Sequence, residues 1–192
     1  MLRRLYDWIM RLAESPRALW ALALVSFAES SFFPIPPDPM LIPMVLANRQ
    51  RAWAFAGVAT LASVLGGIAG YFIGASLEGL GQSILSFYGH PDAMAEFQHM
   101  FAHWGLWIIL IKGLTPIPYK FVTIASGMAG FDLQIFILAS IVTRGGRFFI
   151  IAALLRIFGE PVRDFIERRL TLVTTLFVVL VVGGFVALKY IF

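Results

Sequence analysis

Apolar residues in this chain fall into long blocks, and the blocks divide into those that run unbroken and those interrupted by proline. Residues 52–77 carry no charge over 26 positions, longer than the ~20 residues a helix needs to cross a bilayer. Residues 133–155 and 170–190 read as two further spans. The blocks 18–47 and 104–131 behave differently. The first is cut by Pro34-Ile35-Pro36-Pro37-Asp38-Pro39 and the second by Thr115-Pro116-Ile117-Pro118-Tyr119-Lys120. Proline removes a backbone donor and clashes with the preceding turn, so neither stretch continues as a helix. Each half is then too short to cross, and the pattern predicts two re-entrant hairpins with tips at Pro34, Pro36 and Pro37 and at Pro116 and Pro118.

Amphipathic stretches fill the gaps. In 1–17, Leu5, Trp8, Ile9 and Leu12 share a helical face while Arg3, Arg4 and Arg11 lie off it, the pattern of a helix lying in the membrane interface. In 79–103, Phe97, Met100, Phe101 and Trp104 share one face, and Asp92, Glu96, His99 and His103 another, which predicts a second interfacial helix. Glu96 and His99 have a spacing used in metal-binding bundles, but one copy of it reads as a solvated polar face. Gly66, Gly70 and Gly74 recur every fourth residue, so another backbone can approach closely, either within the chain or in a homodimer. Residues 156–169 read as a basic linker.

The two broken blocks repeat one another, each placing a charge, Glu29 or Lys112, on the apolar half-helix before its prolines. Charge asymmetry then selects a topology. If both turn back at mid-depth, the arginine-rich N-terminus, Arg49, Arg51 and the 156–169 segment share one side, and loops without Lys or Arg share the other. That satisfies the positive-inside rule with the N-terminus cytoplasmic. Backbone that is not helical at depth must be buried in protein or line a wet cavity, so the two tips are expected to face each other.

Composition supports the membrane reading. The 192 residues are 59% hydrophobic and 14% charged, against about 25% charged in soluble domains. The net charge of +4 is read as loop charge and anionic-lipid contact rather than nucleic-acid binding. The absence of cysteine excludes disulfides, thiolate metal sites and cysteine nucleophiles. No phosphate-binding glycine loop or metalloprotease motif is present, and neither cofactor nor metal is expected.

Six ionisable residues interrupt the apolar blocks: Glu29, Asp38, Lys112, Lys120, Arg144 and Arg147. A charge at mid-bilayer costs about 2.5–3.5 kcal/mol on insertion scales and marks a functional site by default. Four cations face two carboxylates, so internal pairing leaves positive charge over, and an unpaired buried charge is costly. A phosphate-bearing ligand would neutralise it through lysine and arginine donors. The competing arrangement is cations that snorkel to the interface. Glu29 and Asp38 balance charge and, as carboxyls in apolar surroundings, are candidates for proton uptake.

These motifs resemble the DedA family, also called the SNARE-associated or VTT-domain family. The resemblance covers roughly residues 20–160. It rests on Glu29 before the proline turn and Asp38, on Lys112 through Lys120 leading into Thr123-Ile124-Ala125-Ser126-Gly127-Met128-Ala129-Gly130, and on Arg144-Gly145-Gly146-Arg147. It implies lipid translocation or scrambling, including recycling of undecaprenyl phosphate in the bacterial inner membrane, with links to the proton motive force. By motif, Glu29 and Asp38 match the family's acidic pair and Lys112 and Lys120 its basic pair. Many members have arginine where this chain has lysine, which passes bidentate phosphate recognition to Arg144 and Arg147.

The sequence therefore predicts an all-α, polytopic integral membrane protein forming one membrane domain. It would translocate an anionic phosphate-bearing lipid, its headgroup held by Lys112, Lys120, Arg144 and Arg147. No covalent bond changes, so it is not read as an enzyme. The rivals are a proton-coupled small-solute transporter and a non-transporting membrane-organising protein.

Overall fold

A computed structural model describes residues 17–33, 36–87, 92–114 and 119–168. The N-terminal amphipathic segment, Pro34, Pro116, Pro118 and the span expected at 170–190 lie outside the described residues. All regular structure among those residues is helical. In chain order the helices are α1 (Ala18–Ser31), α2 (Asp38–Ala47), α3 (Ala52–Phe87), α4 (Ala93–Leu114), α5 (Lys120–Met128) and α6 (Leu133–Arg168), with a 3-10 turn Arg49–Arg51 before α3. Two stretches are long and apolar enough to cross a membrane, Arg49–Gly81 and Leu133–Gly159.

The described helices flank both proline blocks: α1 and α2 on either side of the first, α4 and α5 on either side of the second. After Ser31, the Phe32 and Phe33 amides both close onto the Ala28 carbonyl, at 2.9 and 2.7 Å. The chain restarts at Asp38, with Pro37 as the residue preceding α2. Pro37's carbonyl accepts from the amides of Met40 and Leu41. Pro39 sits in the first turn, where its missing donor costs nothing. Three expected boundaries shift. α3 continues ten residues beyond 77 to Phe87. α4 fuses the expected interfacial helix with the first arm of the second broken block. The expected linker after residue 155 is helical to Arg168, bent at Phe158 (φ −106°, ψ 18°) three residues before Pro161, whose ring cannot fit a straight helix interior.

Two apolar clusters lie at opposite ends of an antiparallel α3–α6 pair. The first joins Ala18 and Leu22 of α1, Leu41 to Leu46 of α2, Ala52 to Ala59 of α3, and Phe148, Ala152 and Leu155 of α6. The start of α1 and the end of α2 therefore share one end of the molecule, and the chain doubles back between them. The second joins Phe101 and Ile109 of α4, Tyr119 and Val122 of α5, and Phe131, Phe136 and Ala139 at the start of α6. Phe101 contacts Phe131 with ring centroids 5.6 Å apart, so the start of α4 meets the end of α5, and the second broken block also doubles back. On α4, Phe101 is buried, whereas Met100 and Trp104 point outward.

Glycine decides how closely the broken pieces approach the long helices. The Gly66–Gly70–Gly74 stripe packs within the chain: a Cβ on Gly66 would overlap the Phe27 backbone of α1, and one on Gly74 the Ile124 backbone of α5. Gly127 of α5 answers from the other side, against the Tyr71 backbone. Backbone on backbone leaves no flexible atom to give way. Gly74→Val is therefore expected to destabilise the fold by about 3 kcal/mol or more, above the 1–3 kcal/mol of ordinary overpacking. Gly79→Ala, where nothing lies within 4 Å, should be neutral or stabilising by about 1 kcal/mol through helix propensity. Thermal unfolding of the two variants in nanodiscs compares them directly.

Candidate site where the two broken segments meet

Between the apolar clusters lies a layer of buried polar side chains. It contains Ser26, Glu29, Ser30 and Ser31 of α1, Thr60 and Ser63 of α3, Thr123 and Ser126 of α5, and Ser140, Thr143 and Arg144 of α6. On α6 the helical period brings Ser140, Thr143, Arg144 and Arg147 to one face. Polar atoms away from water must find partners or cost free energy; Glu29, Ser30, Ser63 and Arg144 find one another, while Thr60, Ser126 and Thr143 donate to carbonyls of their own helices.

Glu29 is the centre of the layer. Its Oε2 accepts from an Arg144 terminal nitrogen at 2.7 Å, and the side chains of Arg144 and Glu29 are 1% and 5% exposed. Ser30 Oγ donates to the same oxygen at 3.2 Å. Oε1 accepts from the Tyr119 backbone N–H at 3.0 Å. Arg144 spends its Nε on Ser63 Oγ, 2.7 Å away. Its guanidinium carbon lies 5.0 Å from the Tyr119 ring centre and 4.8 Å from that of Phe148, which supplies cation–π stabilisation. Tyr119 in turn shares a 2.7 Å hydrogen bond with Ser140. The second pair, Arg147 and Asp38, is 2.6 Å apart and more open, with side chains 21% and 13% exposed. Asp38 Oδ1 is buried and accepts no hydrogen bond among the described residues.

The two breaks also cap each other. Helix α1 ends with carbonyls that have no partner within the helix and carries a partial negative charge there. Helix α5 begins with free amides and a partial positive charge. Lys120, at the start of α5, reaches back so that its Nζ donates to the Phe32 carbonyl at 3.3 Å. Thr123 Oγ1 donates to the Ser30 carbonyl at 2.9 Å. Glu29, in the last turn of α1, accepts the Tyr119 amide at the start of α5. Each helix end thus receives the charge its dipole favours from the other broken segment.

The sequence-predicted residues distribute unevenly over this arrangement. Glu29, Asp38, Arg144 and Arg147 come together as two ion pairs. Lys120 sits at the rim of the same region, its amine also 5.3 Å from the Phe121 ring centre. Lys112 lies on the last turn of α4, and its side chain is outside the described residues. Residue-type reasoning missed Ser63, Tyr119, Ser140 and Thr143. Ser63 was findable, since it lies one turn before Gly67 on the small-residue face of α3.

This sequence matches the VTT-domain family over residues 35–157. The chain belongs to the VTT-domain, or DedA, family. The match runs from the first proline break to the middle of α6 and so includes Asp38, Lys120, Arg144 and Arg147, while Glu29 lies just before it. Two uncharacterized proteins are similar over nearly their whole length. One, from Haemophilus influenzae, is 34% identical over 185 residues, covering 96% of each chain. The other, from Histophilus somni, is 32% identical over 185 residues, covering 96% of this chain and 97% of its own. No solved structure matches the chain. VTT-domain membership and the two long apolar helices make this a membrane protein.

Removing one partner of the buried pair strands the other. Arg144→Met is expected to destabilise the VTT domain by about 3–5 kcal/mol. Adding Glu29→Gln should recover part of that loss, because the neutral amide oxygen still accepts the Tyr119 N–H. Asp38→Asn, in the more open pair, should cost less than Arg144→Met. Thermal unfolding in nanodiscs, followed by intrinsic fluorescence, reads all three.

Proposed function

We propose that this protein moves an anionic, phosphate-bearing lipid, such as undecaprenyl phosphate or a phospholipid, from one leaflet of the bacterial inner membrane to the other. The observation that carries the proposal is the polar layer inside the two long apolar stretches, Arg49–Gly81 and Leu133–Gly159, reached by both broken segments. In this reading the doubled-back segments α1–α2 and α4–α5 are re-entrant from opposite faces. Their shared tip region is the low-barrier path for a headgroup while the lipid tail stays in hydrocarbon.

Charge accounting supports it. Two carboxylates balance two arginines, so among the described side chains of this region the excess positive charge falls on Lys120. Lys120 touches a carbonyl and a ring, and neither neutralises it. Lys120 receives the headgroup first, with Lys112 as the matching cation of the motif. Arg147, whose pair with Asp38 is the more open of the two, turns to the phosphate next. Arg144 is committed to Glu29 and Ser63 and reaches the phosphate only when that pair parts. Of the two carboxyls, Asp38 is the one placed to couple charge to the headgroup, since its pair with Arg147 is the more open.

The two ion pairs also favour a second reading, in which the charges only hold the helices together and nothing is transported. Liposomes separate the two. Purified protein reconstituted with labelled polyprenyl phosphate or phosphatidylglycerol should accelerate headgroup exposure at the opposite leaflet. Lys120→Ala and Arg147→Ala should each slow it by about tenfold or more, the worth of a charge-assisted contact, while the protein stays folded. No transfer by wild-type protein across several anionic lipids would establish the structural reading instead.

A further inference from the structure

A second cationic feature lies away from this layer, at the end of the molecule where α3 begins and α6 ends. Trp53, in the first turn of α3, stacks on Phe149 of α6 with ring centroids 5.9 Å apart and planes 18° from parallel. Arg156, two turns further along α6, places its guanidinium carbon 5.6 Å from the centre of the Trp53 ring. The layers therefore run Phe149, Trp53, Arg156 across the seam between the two helices. Arg49 also reaches this seam: a Cβ on Gly159 would meet its Nε at 2.7 Å. Gly159 is one helical turn beyond Arg156, so two guanidinium groups border one strip of α6. Arg51 is exposed just before α3, and Arg17 precedes α1, whose Ala18 packs in the same cluster as Ala52.

We propose that this end holds one anionic phospholipid headgroup as a resident ligand, at a site separate from the transport path and independent of the transport reading. An arginine beside an aromatic face keeps its five N–H donors directed outward along the guanidinium plane, where they match the oxygens of a phosphate diester. Tryptophan belongs at headgroup depth, its ring in the apolar edge and its N–H toward water. Inward of Arg156 the surface of α6 is apolar and open, through Phe149, Ile150 and Leu154. That ridge suits acyl chains hanging from a phosphate held at Arg156. Free inorganic phosphate would use the arginines and ignore the ridge, and the combination therefore selects a lipid. A further consequence is orientation: this end faces the leaflet richer in anionic lipid.

Tryptophan quenching by brominated acyl chains tests the site. Wild-type protein in nanodiscs is compared at equal mole fractions of brominated phosphatidylglycerol and brominated phosphatidylcholine, with Trp53→Phe defining the contribution of Trp53. The Trp53 component should prefer the anionic lipid by about fivefold, the effect of roughly one arginine at a charged surface. Arg156→Gln should bring the two lipids to parity, and Arg156→Lys, which keeps charge without the planar fork, should fall between. Inorganic phosphate, at constant ionic strength, should leave the preference intact. Equal quenching by both lipids in wild-type protein would overturn the proposal without any variant having to fold. So would a preference that survives Arg156→Gln. Loss of the preference on adding phosphate would make this a free-anion site and overturn the lipid assignment.

Discussion

A helix end leaves backbone groups without partners of their own, and in this chain two such ends lie side by side. The solution is to bring the two interruptions together. The carbonyl end of α1 meets the amide end of α5, and each supplies the side chain the other lacks: Glu29 for the Tyr119 amide, Thr123 and Lys120 for the Ser30 and Phe32 carbonyls. The proximity of the breaks therefore follows from backbone chemistry alone.

Once the breaks are adjacent, the rest of the polar layer follows. A carboxylate placed to cap α5 is a buried negative charge and needs a cation, which α6 supplies as Arg144. A buried guanidinium has more donors than one carboxylate can accept, so Ser63 takes the Nε proton and the Tyr119 and Phe148 rings cover its faces. The serines and threonines nearby close the remaining donors onto helix carbonyls, as Ser126 does to Val122 and Thr143 to Ala139. The second pair, Asp38 with Arg147, is one helical turn away and less enclosed. A rigid inner pair and an accessible outer pair thus occupy one face of α6.

Much of this was legible in the sequence because its causes are local. Clustered prolines end a helix more surely than the single prolines at 43 and 161, which α2 and α6 contain, so the interruptions could be read directly. Charges in apolar blocks stood out by composition, and four of the six prove to form two ion pairs. The pairing itself was not legible, because Glu29 and Arg144 are 115 positions apart and nothing local distinguishes that match from Glu29 with Lys112. Tyr119 escaped notice because its contribution is made partly through a backbone N–H, which every residue but proline possesses. The ends of α3 and α4 were misplaced for another reason. Polar residues at 78–103 argued for a departure from the membrane, whereas helical hydrogen bonding continues regardless of the solvent around the side chains.

The glycine contacts carry a consequence for motion. At Gly66, Gly74 and Gly127 the main chains of α1, α3 and α5 touch without intervening side chains, and surfaces that close have no room to slide or roll. Those three helices form a single stiff block. α6 meets that block through side chains instead, and Gly145, on its inner face, has only an ordinary 3.6 Å approach to Thr60. If the molecule changes shape, the yielding joint is the one around α6, and its hinge would be the bend at Phe158.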